Sequence, residues 1–573
     1  MKTKYCLALS ICVVLGLLAG CVRPATTQSG GQEETGREYA PPDAYLNGSM
    51  HAYYGSENPW DRRFFTKALH LYGRRGQRQM LDIIEGRPAE AAKYCRELLA
   101  KDPNDLESLF NLAVAEAHLG NLNAAMDPVK EAVNRGLPFT RFLVGPREVL
   151  RPLTESAAFP EYAATRKIQL AHGPLLGVVT SRSARFWVRT IDEVPVQTIV
   201  STSPDLSDPI RSEVRQTKAA DDYTAIVEVQ GLQPATAYYY DVLVAGQPAL
   251  ASERPRFRTY PTADSKVRFL VAFGGGAGYN PACERMWDVI RSHKPDAFLG
   301  LGDNVYMDLP TKPNGFVEYT YYRRQSRPEF RRLVSTVPVY AIWDDHDAGM
   351  DDVWLGPYRD KPDWKLPLFR NFQQQWNNPF YGDPDWPGGW HNFSIGPVEF
   401  FMLECRMYRT NPYDRYPTML GPVQKAWLKK QLKQSTPRFK VLVSSVPWTF
   451  DSKGSAKDTW NGFRKERGEI FDFLASNRIN GVILLSADRH RSDAWRIERP
   501  NGYPLYEFES SRLTNEHVHE LVPGTLFGYN AKQSFGLLMF DLTGGDPSVT
   551  FQAVSIDDEV AGEVTVKWSE ISH

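Results

Sequence analysis

Asp296-Ala297-Phe298-Leu299-Gly300-Leu301-Gly302-Asp303-Asn304-Val305-Tyr306-Met307-Asp308 starts as an unbroken apolar run and turns, at a glycine, into acidic and polar residues. A short apolar run bounded by a turn signal reads as a fully buried strand. Carboxylates at its C-terminal end stand where α/β sheets gather their active sites. Two more stretches repeat the pattern. Val339–Ile342 runs into Trp343-Asp344-Asp345-His346-Asp347, and 482–485 runs into Ser486-Ala487-Asp488-Arg489-His490-Arg491. Around them, 267–273, 398–403 and 440–446 read as strands, and 283–292, 366–376, 423–434 and 464–477 as helices. This alternation predicts a layered α/β core over residues 265–573. A single Asp after a strand is often only a cap on the next helix, and Asp344 and Asp347 suit that role. Carboxylates and imidazole at three converging strand ends are what a hard or borderline metal pair needs.

Upstream, over 170–262, the period changes to two, as in Arg185-Phe186-Trp187-Val188-Arg189. Leu232-Gln233-Pro234-Ala235-Thr236-Ala237-Tyr238 resembles the Leu-x-Pro-x-Thr-x-Tyr stretch of fibronectin type III domains. About seven short strands are expected there, which suits an immunoglobulin-like sandwich. Residues 66–165 are helical in pattern. Gly86 and Gly120 are 34 residues apart, as are Ala91 and Ala125, and Pro103-Asn104 breaks the chain between them. That period resembles two tetratricopeptide hairpins, a candidate surface for a protein partner, although a small helical bundle has the same pattern.

The first 21 residues read as an export signal: Lys2 and Lys4, an apolar run from Leu7 to Leu18, then Leu18-Ala19-Gly20-Cys21. The ending resembles a bacterial lipobox, in which Cys21 is acylated. Residues 22–65 then form a tether. Val22 lacks the Asp that retains such lipoproteins at the inner membrane. The expectation is a lipid-anchored protein of the bacterial cell envelope, on the periplasmic face of the outer membrane or at the cell surface. Membrane contact would come through the lipid alone.

Hydrophobic residues make up 42% of the 573 and charged residues 24%, ordinary for globular domains. The net charge of −1 supplies no field for nucleic acid. Six cysteines without a CxxC pair argue against a disulfide framework or a thiolate zinc site.

Taken together, Leu301-Gly302-Asp303-Asn304-Val305-Tyr306, Ala341-Ile342-Trp343-Asp344-Asp345-His346-Asp347 and Leu485-Ser486-Ala487-Asp488-Arg489-His490 resemble the motifs of the alkaline phosphatase D type of calcineurin-like metallophosphoesterases. Gly421-Pro422-Val423-Gln424-Lys425-Ala426-Trp427-Leu428 also fits. The resemblance implies a four-layer α/β/β/α sandwich that hydrolyses a phosphate mono- or diester with two bound metal ions (Ca, Fe, Mn or Zn). It implies that Asp303 bridges the metals, Tyr306 is a phenolate ligand, Asp345 binds the second metal, and Asp488 and His490 complete the coordination. His346 would face the substrate as general acid or charge stabiliser. Basic and polar residues near these loops are candidate phosphate contacts: Arg489 above all, then Asn304, Arg324, Arg406 and Arg491.

Two departures stand out. The family's Cys ligand is expected near Gly276, in Gly274-Gly275-Gly276, and a glycine binds no metal through its side chain. Cys283, seven residues later and expected on a helix, is a poor substitute. Ala487 replaces a motif glycine without loss of a ligand. Two rival functions follow. A non-catalytic surface protein would have a decayed site, yet Asp303, Asp345, His346, Asp488 and His490 are all present. A glycoside-cleaving enzyme, suggested by the 14 Trp, would need two carboxylates facing one sugar.

Overall fold

The computed structural model describes residues 76–166, 168–250, 254–310 and 314–573. The expected signal, Cys21, the tether and the start of the helical region lie outside them. Among the described residues, no helix is long and apolar enough to cross a membrane.

Helices α1 (Gln77–Ile84), α2 (Pro88–Lys101), α3 (Leu106–His118) and α4 (Leu122–Asn134) pack as two hairpins around Ala91, Leu109, Ala113 and Val129. Gly86 and Gly120 have φ of +78° and +80° and close α1 and α3, so the 34-residue period is a repeated left-handed helix stop. The break at Pro103-Asn104 is followed by Asp105, whose carboxylate caps α3 by accepting from Ser108 N at 3.2 Å.

Strands β1 (Leu170–Gly177), β2 (Ser183–Thr190), β3 (Pro195–Ser201), β4 (Ile210–Arg211), β5 (Arg215–Gln216), β6 (Thr224–Gln230), β7 (Ala237–Val244), β8 (Gln247–Pro248) and β9 (Arg256–Arg258) form two antiparallel sheets. One is β1-β2-β6; the other is built on β4-β3-β7-β8, with β5 on β3 and β9 on β7. Phe186, Tyr240 and Phe257 pack between them, with ring centroids 4.6–6.0 Å apart.

The remainder is a pair of larger sheets. The first, in order β12 (Val339–Ile342), β11 (Ala297–Leu301), β10 (Arg268–Gly274), β20 (Ser534–Asp541), β21 (Ser548–Ser555) and β22 (Val560–Lys567), is parallel over β10 to β12 and antiparallel beyond. The second runs β13 (His391–Ile395), β14 (Val398–Met402), β15 (Phe439–Val443), β16 (Val482–Ser486), β18 (Leu505–Ser510), β17 (Ser492–Ile497), β19 (Phe527–Tyr529). Their inner faces share one core that includes Phe273, Leu299, Phe400, Leu484 and Phe551. Helices α5 (Met286–Ser292), α6 (Asn314–Gln325) and α7 (Pro328–Val334) accompany the first sheet; α8 (Asp345–Ala348), α9 (Lys365–Gln373), α10 (Gly421–Gln434) and α11 (Arg464–Ser476) complete the chain's layers. The strands and helices that the sequence marks in this part fall within a few residues of their expected limits. One correction concerns Cys283. It lies in the turn before α5, with its N–H on Asn280 O at 2.9 Å, because α5 begins only at Met286.

The three parts are bonded together. Arg331 of α7 donates to Gly173 O at 2.8 Å and Tyr240 to Ser335 O at 2.6 Å. Helix α3 supplies Glu107, whose carboxylate takes both Arg141 Nη1 and Nη2, at 2.7 and 3.0 Å, and the Tyr319 hydroxyl of α6 at 2.6 Å. All three side chains are buried. Burial would raise the Glu107 carboxyl, but Arg141 reverses this and holds it at about 2. The ion pair therefore stabilises fully above the ordinary glutamate range and is lost as pH falls through about 2. Glu107→Ala strands Arg141 and should cost about 3–5 kcal/mol in denaturant melts, whereas Tyr319→Phe should cost only about 1 kcal/mol. Equal losses would mean that the hydroxyl, and not the charge, carries the joint.

Candidate metal centre

Three strand ends bring the site together, and the backbone bends sharply at two of them. Gly302, after β11, has φ of +93°, and a Cβ there would lie 2.4 Å from Asp344 Cβ. Asp303 follows at +51°; after β16, Asp488 and His490 stand at +73° and +50°. Left-handed non-glycine residues are strained, and they concentrate where side chains must be aimed against local preference. At the third end, β12, Asp345 opens the short helix α8. Asp347 holds its start by accepting from Asp344 N at 3.1 Å, the capping role its spacing allowed.

Asp303, Asp345 and His346 each offer a ligand atom, all within 4.8 Å of one another. Asp303 Oδ2 accepts the Tyr306 hydroxyl at 3.0 Å, and Asn515 Nδ2 donates to the same hydroxyl at 2.7 Å. Asp303 Oδ1, Asp488 Oδ2 and His490 Nδ1 are buried and make no hydrogen bond. Buried polar atoms left without a hydrogen bond in this way suit a cation. Burial, then the neighbouring Asp345, pushes the Asp303 carboxyl well above the carboxylate range. Asp345 goes the other way: against burial, Arg406 and His346 draw it down to about 2. Burial, then His517, keeps His490 neutral, with a lone pair for a metal. His346 is raised well above its usual range: despite burial, Asp308, Asp345 and Asp303 hold its proton. Its Nδ1 bonds Asp308 and its Nε2 lies 3.5 Å from Asp351 Oδ1. Oxygen, phenol and imidazole donors in one buried cluster fit a divalent or trivalent metal ion.

Gly276 has φ of +70°, and the space that a side chain would need there is taken: a Cβ would lie 2.9 Å from Arg512 N and 3.3 Å from His490 Nδ1. The glycine thus admits the 512–515 loop, whose Leu513 N–H bonds Gly275 O at 3.1 Å. Cys283 is buried, and burial pushes its thiol up to about 11, the wrong direction for a thiolate ligand. Ala487 fits because its methyl lies where a Cβ at Gly275 would come within 2.8 Å.

Of the expected phosphate contacts, only Arg489 keeps its guanidinium at the site, 3.9 Å from Asp488, with Nε making no hydrogen bond. The others are corrections, each for the same reason: a buried carboxylate or carbonyl already holds the donor. Arg324 is paired with Glu284 at 2.5 Å and bonds Ala277 O at 2.7 Å. Arg406 binds Asp344 and Asp458, at 2.5 and 2.8 Å. Arg491 binds Asp493 at 2.6 Å. Asn304 commits its amide to Ile342 O at 2.9 Å and to Asp347 at 3.2 Å. Sequence reasoning gives no role to Asp308, Asp351, Asp458, Lys453 or Asn515. Asp458, in Asp458-Thr459-Trp460, and Asn515, in Arg512-Leu513-Thr514-Asn515, lie in stretches that read as substrate-side loops in the sequence without an assigned role.

The comparisons with known proteins agree with this geometry. A family model described as PhoD-like phosphatase matches residues 270–534. A domain of unknown function matches 167–262, and a tetratricopeptide repeat matches 82–135. Alkaline phosphatase D of Bacillus subtilis (strain 168) is 24% identical over 347 residues, 52% of this chain and 58% of that protein, so the chain spans less than two thirds of that relative. A solved structure of PhoD covers 69% of this chain and 88% of its own, at a TM-score of 0.57 and 17% identity. A purple acid phosphatase from yellow lupin (Lupinus luteus) seeds covers 70% and 75%, at 0.51 and 12%. The matched span contains all three acidic strand ends, so residues 270–534 are similar to the PhoD-like phosphatase family both in sequence and in the fold that carries the site.

Proposed function

We propose that the protein hydrolyses phosphoric esters, mono- or diester, at a metal-dependent centre formed by Asp303, Tyr306, Asp345, Asp488 and His490. The observation that carries this is the convergence of Asp303, Asp345 and His346 within 4.8 Å, together with buried oxygen and nitrogen atoms of Asp303, Asp488 and His490 that make no hydrogen bond. A cation held by these residues would activate water near neutral pH and neutralise charge on the phosphoryl oxygens. The chain's own residues do the rest. His346 holds a proton on Nδ1 against Asp308 and presents Nε2 to the leaving-group oxygen as general acid. Arg489 offers its free Nε to a phosphoryl oxygen. Asn515 fixes the Tyr306 ring through its hydroxyl.

The remaining parts of the reading extend from this. Residues 170–262 serve as a fibronectin-like spacer, and 66–165 as a tetratricopeptide-type platform whose outer face takes a protein partner. The lipobox-like Cys21 places the enzyme at the bacterial envelope, with substrate drawn from the surrounding medium or wall.

Asp303→Ala and Asp488→Ala should each lower kcat/KM for aryl phosphate mono- and diesters at least ~10²–10³-fold, and Asp303→Ala should lower metal content as well. Full activity in both would end the hydrolase reading. Arg489→Ala should lower kcat/KM roughly 10²-fold with an unchanged melting temperature. Arg324→Ala should instead destabilise the fold by about 3–5 kcal/mol in denaturant melts, because Glu284 is left buried and unpaired. The reverse pattern would make Arg324 the phosphate contact.

A further inference from the structure

Beside the first metal-type group lies a second: Asp345, Asp351 and Asp352 also bring carboxylate oxygens within 4.8 Å of one another. The resemblance to metallophosphoesterases would put a second ion on this side, with Asp488 completing it. A lysine already stands there. Lys453, in the loop between β15 and α11, has its Nζ 3.0 Å from Asp352 Oδ1, 3.0 Å from Asp458 Oδ2 and 3.6 Å from Asp488 Oδ2. An ammonium group has three protons to donate, and here three carboxylates surround it. Its side chain is 17% exposed, so water does little to screen it.

The rest of this side is also matched in charge. Asp458 takes Arg406 and Arg409, each at 2.8 Å. Asp344 takes Arg406, and Arg406 Nη2 lies 3.7 Å from Asp345 Oδ2. Arg489 stands 3.9 Å from Asp488. Asp303 is the contrast. No Lys or Arg among the described residues forms an ion pair with it, and its Oδ1 is buried without a hydrogen bond. A dication on the Asp303 side meets no lysine or arginine ion pair and a carboxylate oxygen without a hydrogen bond. A dication on the Asp352 side meets an ammonium and three guanidinium groups at close range in a poorly screened interior.

We propose that Lys453 supplies, from within the chain, the positive charge that a second metal ion would bring to the Asp352–Asp488 side, so that the protein binds one metal ion, on Asp303, and not two. This rests on the metal-dependent reading above. Lys453 is a positioning residue: it holds Asp488 and Asp352 in place through charge.

The test is metal stoichiometry, which needs no turnover. The full-length chain is stripped with chelator, reloaded with Mn2+ at micromolar free metal, and measured for ions per chain by elemental analysis and by electron paramagnetic resonance. Wild type should saturate at one ion with an isolated Mn2+ spectrum. Lys453→Ala should take two, with a spin-coupled spectrum, and Lys453→Arg, which keeps the charge, should stay at one. Two ions in wild type overturn the proposal while leaving the metal-dependent hydrolase intact. One ion in a folded Lys453→Ala also overturns it. No ion in wild type, with Mn2+ or with iron, calcium or zinc in its place, brings down the metal reading itself. Lys453→Met replaces the alanine variant where that fails to fold, and the wild-type count decides in any case.

Discussion

A buried guanidinium makes the acidic floor of this molecule tolerable. Arg406 leaves the end of β14 in the second sheet and reaches Asp344 and Asp345 at the end of β12 in the first, as well as Asp458 from the loop after β15. Ser445, following β15, adds a hydroxyl to Asp344 Oδ1 at 2.7 Å. Elsewhere the inner faces of the two sheets meet through an apolar core, which resists separation but fixes no register. A planar fork with several donors does fix it, because each carboxylate must lie in the guanidinium plane. The strand ends that carry Asp303 and Asp488 are aligned by this contact even though neither touches Arg406. Without it, the repulsion among so many carboxylates would push the sheets apart where they need to converge.

The legible part of the sequence is the part governed by local pattern. Apolar runs such as 297–301 and 482–486 mark strands, the acidic residues after them mark the site, and glycines 34 residues apart mark the helical hairpins. The arginines mislead for a physical reason. A guanidinium beside an active-site motif looks the same in sequence whether it faces phosphate or a carboxylate, and Glu284 and Asp458, the partners of Arg324 and Arg406, lie in unrelated stretches. Lys453 and Asp308 are invisible on the same ground: their partners are close only in space. The last strand also escapes, since Val560–Lys567 mixes polar and apolar residues and carries no run long enough to announce a buried strand.

The helical hairpins do more than accompany the catalytic unit in space. Gln77 Nε2 of α1 donates to the carbonyl of Tyr306 at 2.5 Å, and Leu81 packs with Leu309 and Phe316 on either side of the same loop. The loop that carries a candidate ligand is thus braced from a segment more than two hundred residues earlier in the chain. Packing of this kind turns a flexible connection into a preorganised one, and preorganisation is what lets a charged site act without rearranging.

Strand β20 sits in the middle of the first sheet, between β10 and β21, and pairs Arg268 with Asp541 and Phe273 with Gly536. The strand that begins the catalytic unit therefore waits for a neighbour made almost last. A chain emerging from a ribosome cannot close this sheet until that neighbour has emerged too. Until then, β10 and its parallel companions present an open edge with unpaired backbone amides along it. Closure of so distant a pairing is slow, and slow closure leaves an emerging chain exposed to aggregation and proteases. The arrangement ties the assembly of the acidic strand ends to the completion of synthesis, so that a prematurely ended chain yields only an unfinished sheet fit for clearance.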